Sequence, residues 1–230
     1  MKVASSPVKR GADINAAMRN SPRPRLYLIT PQLADPAAFV RELGAVLQAG
    51  DVAAVLLRLA EADERTLINR AKAVAPAVQR HDIALLLDGY PGLAPRAGAD
   101  GAHLAGIEAF SAAVTTLKPD RIAGAGGLRS RHDAMLAGES GADYVMFGEP
   151  DRRGSRPPLA AIAERLTWWS ELFEMPCVGF AASLDEVVPL RDAGADFVAL
   201  GDWVWTQSEG PAAAVAAAAG VLSRTVAQAR

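Results

Sequence analysis

Charged and imidazole side chains recur just beyond short apolar runs of this chain. Arg58 follows Ala53–Leu57, Asp88 follows Ile83–Leu87, and His103 lies within Gly101–Leu104 with Glu108 close behind. Asp88 and Glu108 are hard oxygen donors of the kind that hold a magnesium ion on a phosphate. The same two side chains also suit loop caps or solvated charges. Gly124 ends the run Arg121–Gly124, and Gly126, Gly127 and Arg129 follow it. Glycines there let backbone approach a ligand, although the spacing and downstream acid of a nucleotide fingerprint are missing. Glu149, Asp151, Arg152, Arg153 and Arg156 follow Tyr144–Phe147. Their arginines either close on an anion or belong to a solvated loop bounded by Gly154 and Pro157-Pro158. Ser183 follows Cys177–Phe180, and Asp202, Trp203 and Trp205 follow Phe197–Leu200. Trp203 and Trp205 alternate as on a strand end, so one faces a ligand ring or both pack under the last helix. His103 is a ligand contact or a satisfied core histidine. The histidines are scattered, without the spacing of a zinc site.

Something must bring these residues together, and a repeated unit does so. Leu26–Ile29, Ala53–Leu57, Ile83–Leu87, Gly101–Leu104, Arg121–Gly124, Tyr144–Phe147, Cys177–Phe180 and Phe197–Leu200 are continuous apolar runs. Such runs suit parallel strands buried on both faces. The segments between them have helix length and helix starts: Asp35-Pro36, Asp63-Glu64, Ser130 and Ser183 as caps. Gly-Ala-Asp recurs before strands at Gly98–Asp100, Gly141–Asp143 and Gly194–Asp196, with Ala49-Gly50-Asp51 as a variant. The glycine ends a helix in the left-handed conformation, the alanine packs, and the aspartate caps the turn. Eight such units at about 25 residues each predict a single-domain (β/α)8 TIM barrel over 25–230, in preference to an open doubly wound sheet. In a barrel the Gly-Ala-Asp turns, His81 and Lys118 lie on the N-terminal face, while the candidate site residues lie on the C-terminal face. No lysine falls there, which disfavours Schiff-base chemistry.

Composition sets the outer limits. The chain of 230 residues is 50% hydrophobic and 22% charged, with a formal net charge of -2. That composition supports a full core. Its charge disfavours nucleic acid or an anionic membrane as partner, since both call for a basic surface. The single cysteine, Cys177, makes no internal disulfide, which suits a reducing, cytoplasmic setting. Residues 1–24, basic and proline-bearing without an apolar centre, are expected to be a flexible leader. Trp168 and Trp169, adjacent on one helix, point to core packing or a subunit contact, so a homo-oligomer is one expectation.

Four stretches resemble the thiamine phosphate synthases and their thiazole tautomerase relatives. They are Leu26-Tyr27-Leu28-Ile29-Thr30, Gly98 to Leu104, Gly141 to Gly148 and Gly194 to Ala199, within a similarity running from Arg25 to about Gly220. The resemblance implies a TIM barrel and a transferase of thiamine biosynthesis. Such an enzyme couples hydroxymethylpyrimidine diphosphate to a thiazole phosphate, with magnesium and basic groups holding the departing pyrophosphate. It implies that Arg58 and Asp88 are catalytic, and that Asp88 and Glu108 hold magnesium. Substrate contacts would fall to His103, Gly126, Gly127, Arg129, Arg153, Arg156, Ala181, Ala182, Ser183, Asp202 and Trp203. The chain also departs from the pattern. Leu56, Ala60 and Leu87 stand where the family has glutamine, lysine and asparagine, and Gly126 where it has a serine that binds pyrophosphate. Ala181-Ala182 replaces a glycine pair that binds the thiazole phosphate, and Asp202 puts a carboxylate near that phosphate. Neither is there a histidine after the fifth run, as tautomerases have. Three readings follow: a divergent synthase, a barrel enzyme on another phosphorylated or heterocyclic substrate, or a non-catalytic ligand-binding paralogue.

Overall fold

The computed structural model describes residues 23–224, so the expected leader lies outside the described residues except for Arg23 and Pro24. Eight parallel strands run β1 (Arg25–Ile29), β2 (Val52–Leu57), β3 (Ala84–Asp88), β4 (Gly101–Ala105), β5 (Ile122–Gly126), β6 (Tyr144–Phe147), β7 (Cys177–Ala181) and β8 (Phe197–Leu200). Each pairs with the next, and β8 pairs with β1 to close the barrel. Closure rules out the open sheet. Eight helices alternate with them: α1 (Pro36–Gln48), α2 (Glu64–Gln79), α3 (Ala94–Ala97), α4 (Ile107–Leu117), α5 (Arg131–Glu139), α6 (Leu159–Leu172), α7 (Val187–Asp192) and α8 (Pro211–Ser223).

The apolar residues divide into two cores. Leu28, Val55, Leu85, Val145 and Val198 point outward and pack with the helices. Tyr27, Ala54, Leu56, Leu86, Ile122, Tyr144, Met146, Val178 and Phe180 fill the barrel itself. This is the period-two alternation of a strand applied to a sheet buried on both sides. Continuing the inward parity to the strand ends brings Arg58, Asp88, His103 and Gly126 into the barrel mouth. The fifth strand extends two residues further than its apolar run, so Gly124 and Gly126 belong to β5 and not to the loop after it.

The Gly-Ala-Asp turns behave as expected, with one refinement. Gly98, Gly141 and Gly194 have φ of 73°, 95° and 94°, a region that side chains disfavour. Their alanines are buried. The aspartates do more than cap a turn. Asp100, Asp143 and Asp196 each accept from the backbone N–H at the start of the preceding strand, at 2.8 Å from Leu85, Ala123 and Cys177. Each also donates its own N–H to the carbonyl of that same residue. The repeat is therefore a two-bond clamp between neighbouring strands on the N-terminal face. Gly50 differs: a Cβ there would stand 2.9 Å from Ala219 of α8, so close packing accounts for that glycine.

Asp35, Asp63 and Ser130 cap their helices, and Ser130 forms a capping box with Asp133. Ser183 does not; its side chain makes no capping bond, and the Ala182 N–H beside it is taken by Glu186. Trp203 and Trp205 lie on a 3-10 turn, Asp202–Thr206, not on a strand end. Both indole N–H groups bond to carbonyls, Trp203 to Ala181 and Trp205 to Ile29, and so both fasten strand ends. Trp169 is buried and stacked on Phe173 at 4.2 Å, whereas Trp168 lies under Arg131. Among the described residues no helix is long and apolar enough to cross a membrane.

Candidate active site

The site lies at the C-terminal rim, where backbone bonds between loops fix each strand end. Arg58 donates its N–H to the buried Thr30 hydroxyl at 3.0 Å, and its carbonyl accepts from Leu33 at 2.9 Å. Gly89 N–H bonds to the His103 carbonyl, and Asp88 pairs in register with His103. Gly106 N–H bonds to the Gly126 carbonyl. Arg58, Asp88, His103, Gly126 and Asp202 thereby share one rim, as the sequence implied.

A buried polar chain runs from the barrel interior to this rim. The Tyr27 and Tyr144 hydroxyls are 2.8 Å apart. Tyr144 Oη lies 2.9 Å from His103 Nδ1, and His103 Nε2 lies 2.8 Å from Glu149 Oε1. Glu149 Oε2 accepts the Gly127 N–H at 2.9 Å. A neutral His103 protonated on Nε2 satisfies all of these bonds, with every hydroxyl donating toward the rim. Glycines make the chain possible. A Cβ on Gly124 would fall 2.1 Å from the Tyr144 ring, and one on Gly126 would fall 1.9 Å from Glu149 Oε2. His103 is 1% exposed with both ring nitrogens engaged, so the group it presents to the cavity is Glu149. Of the two roles that the sequence left open, this geometry is that of the satisfied core histidine.

Burial pushes both tyrosines well above the usual phenol range, so they stay neutral. Burial also raises Asp88, aided by repulsion from Glu149, against the attraction of His103 and Arg58. For His103 burial acts downward, but the Glu149 charge and hydrogen bond outweigh it and raise the imidazole above its ordinary 6.5. A group raised in the folded state binds its proton more tightly there. His103 therefore stabilises the fold fully below pH 6.5 and loses that contribution as pH rises through the folded value. Urea denaturation from about pH 6 to about pH 8 should show the wild type losing stability more steeply than His103→Gln. Equal slopes would remove the coupling to Glu149.

The other charged groups are paired within the rim. Arg58 Nη1 is 2.8 Å from Asp202, and Arg58 Nε is 3.9 Å from Asp88. Asp202, the carboxylate that the resemblance puts near the phosphate, is thus paired with Arg58. Arg156 is bound to Glu186 at 2.8 Å and to the carbonyls of Gly148 and Phe180, so it does not swing free. Arg153 is exposed on a turn closed by Asp151, and Arg129 is exposed with its carbonyl bonded to Arg165. Glu108 is exposed in the first turn of α4. Glu186, Tyr27 and Tyr144 carried no functional expectation from sequence, and Glu149 was placed at the rim without a role. The available signal was polar aromatic residues at inward positions, with Gly124 in register opposite Tyr144.

A closed parallel barrel with arginine and carboxylate groups at its C-terminal rim defines the class, a (β/α)8 barrel with its polar residues where barrel enzymes carry their sites. Known proteins narrow this. Residues 26–204 match the model of the family described as thiamine monophosphate synthase. The thiamine-phosphate synthase of Rhodospirillum centenum is 45% identical over 84% of this chain and 94% of its own length. That of Hyphomonas neptunium is 41% identical over 85% and 92%. A thiamine phosphate pyrophosphorylase structure from Pyrococcus furiosus superposes with a TM-score of 0.70 at 21% identity, over 86% of this chain and 95% of that one. The chain belongs to the thiamine monophosphate synthase family.

Proposed function

We propose that this protein is a thiamine phosphate synthase, coupling hydroxymethylpyrimidine diphosphate to a thiazole phosphate and releasing pyrophosphate. The observation that carries the reading is 45% identity to a curated synthase across nearly the whole barrel. In the reaction the thiazole nitrogen bonds to the pyrimidine methylene carbon as the carbon–oxygen bond to the diphosphate breaks. The diphosphate leaves with the electron pair. Arg58 offers the developing negative charge a cation at the mouth, and the Gly126 and Gly127 backbone approaches the same region. Trp203, beside the end of β7, supplies an apolar wall.

Asp88 and Glu108 fit a magnesium ion by donor chemistry. Both are hard carboxylates near adjacent strand ends, and Asp88 stands 3.9 Å from Arg58, too far for a direct hydrogen bond. Bound there, the ion would neutralise diphosphate charge. Ala181, Ala182 and Ser183 line the second-substrate side together with Arg156, while Arg129 and Arg153 border the mouth. The buried thiol of Cys177, held high by desolvation, suits a cytoplasmic enzyme.

The test is turnover of purified protein with both substrates, followed by pyrophosphate release with and without magnesium. Product formation is expected, at a rate well below that of relatives keeping the family's lysine, serine and asparagine, because each lost contact to the leaving group commonly costs roughly a hundredfold. Tight binding of another phosphate ester without coupling would favour a different barrel reaction. Absence of both turnover and binding would favour a ligand-binding paralogue.

A further inference from the structure

Two donors at the rim beside the ends of β6 and β7 are already in use. Ala182 N–H points at Glu186 Oε2 at 2.7 Å. Arg156 Nη1 reaches both Glu186 oxygens, at 3.0 and 2.8 Å. The guanidinium is fixed from two further sides by the Gly148 and Phe180 carbonyls and lies over the Phe180 ring. Both side chains of the ion pair are 18% exposed. A backbone N–H and a guanidinium converging on one carboxylate form an oxyanion cradle. In barrels, the loops after the seventh and eighth strands commonly bind the phosphate of a substrate. Here that cradle holds an oxyanion belonging to the chain itself.

We propose that Glu186 is a specificity-determining residue that stands in for a phosphate dianion and sets how strongly the site prefers a phosphorylated second substrate over the free alcohol. The inference rests on the synthase reading for the identity of that substrate, but not for the cradle. A phosphate ester entering here competes with a covalently tethered carboxylate for the same two donors. An alcohol does not need them. In the wild type the phosphate reaches these donors only by displacing Glu186, and removing the Glu186 charge frees Arg156 and Ala182 N–H for it.

The experiment has a binding arm and a turnover arm. Binding of inorganic phosphate is measured by calorimetry for wild type, Glu186→Gln, and Glu186→Gln combined with Arg156→Gln. The ratio of kcat/KM for the thiazole phosphate to that for the thiazole alcohol is measured with saturating pyrimidine diphosphate. Glu186→Gln should bind phosphate about tenfold more tightly and shift the ratio toward the phosphate ester. The double variant should lose both gains. Glu186→Asp, which keeps the ion pair's charge and serves if the glutamine variant fails to fold, should retract from Ala182 and bind phosphate between the two. Unchanged or weaker phosphate binding in folded Glu186→Gln and Glu186→Asp overturns the proposal. If no variant turns over, the synthase reading fails while the phosphate arm still decides the cradle.

Discussion

Gly126→Ser, which adds the hydroxyl side chain that the resemblance leads one to expect there, should destabilise this protein by ~3 kcal/mol. The added Cβ would fall 1.9 Å from Glu149 Oε2 and 2.4 Å from His103 Nε2. Neither atom has room to yield while keeping its bond. Glu149 is anchored by His103 and Gly127 N–H, and His103 by Tyr144. Expelling Glu149 leaves a buried imidazole N–H without an acceptor, a loss that adds to the steric one. Chemical denaturation of the variant measures the cost. The same substitution combined with Glu149→Ala should recover only part of the stability, because it removes the contact with the carboxylate and leaves the one with His103 Nε2. A single variant as stable as wild type would mean that Glu149 is not seated at β5. The serine and the carboxylate are thus alternative occupants of one volume, and this chain has taken the carboxylate.

Arg58→Ala should lower kcat/KM for coupling by about a hundredfold or more, and Arg58→Lys should recover part of it. Among the described residues, Lys118 pairs with Asp143 on the opposite face and Lys72 is exposed on α2. Arg156 is committed to Glu186. Arg58 stands between Asp88 and Asp202 and is 34% exposed, so its charge is shared and still reaches the cavity. A diphosphate drawing Arg58 away from Asp202 would gain a charge-assisted contact at the cost of a half-exposed pair, which is a weak one. Pyrophosphate release at matched substrate concentrations is the measurement. A loss of less than about threefold would transfer the role to the exposed Arg129 or Arg153.

The sequence by itself determined the barrel. Eight apolar runs, helix caps at Asp35, Asp63 and Ser130, and left-handed glycines at 98, 141 and 194 are local signals, each written within a few residues. The rule that barrel sites lie beyond the C-terminal ends of the strands then placed Arg58, Asp88 and His103 on one face. What only the tertiary structure decided is who pairs with whom there. Tyr27 meets Tyr144 across 117 positions, and Arg58 meets Asp202 across 144. His103 meets Glu149 across 46, and Arg156 meets Glu186 across 30. Such bonds exist only after closure brings β8 against β1 and sets the loops side by side. Spacing along the chain places a carboxylate on a rim, but the rotamer that aims it at Gly127 or Ala182 depends on the space left by neighbouring strands. Hence the sequence placed Glu149 and Asp202 at the rim as loop charges and left Glu186 unread, while packing made all three the internal partners of donors at that rim.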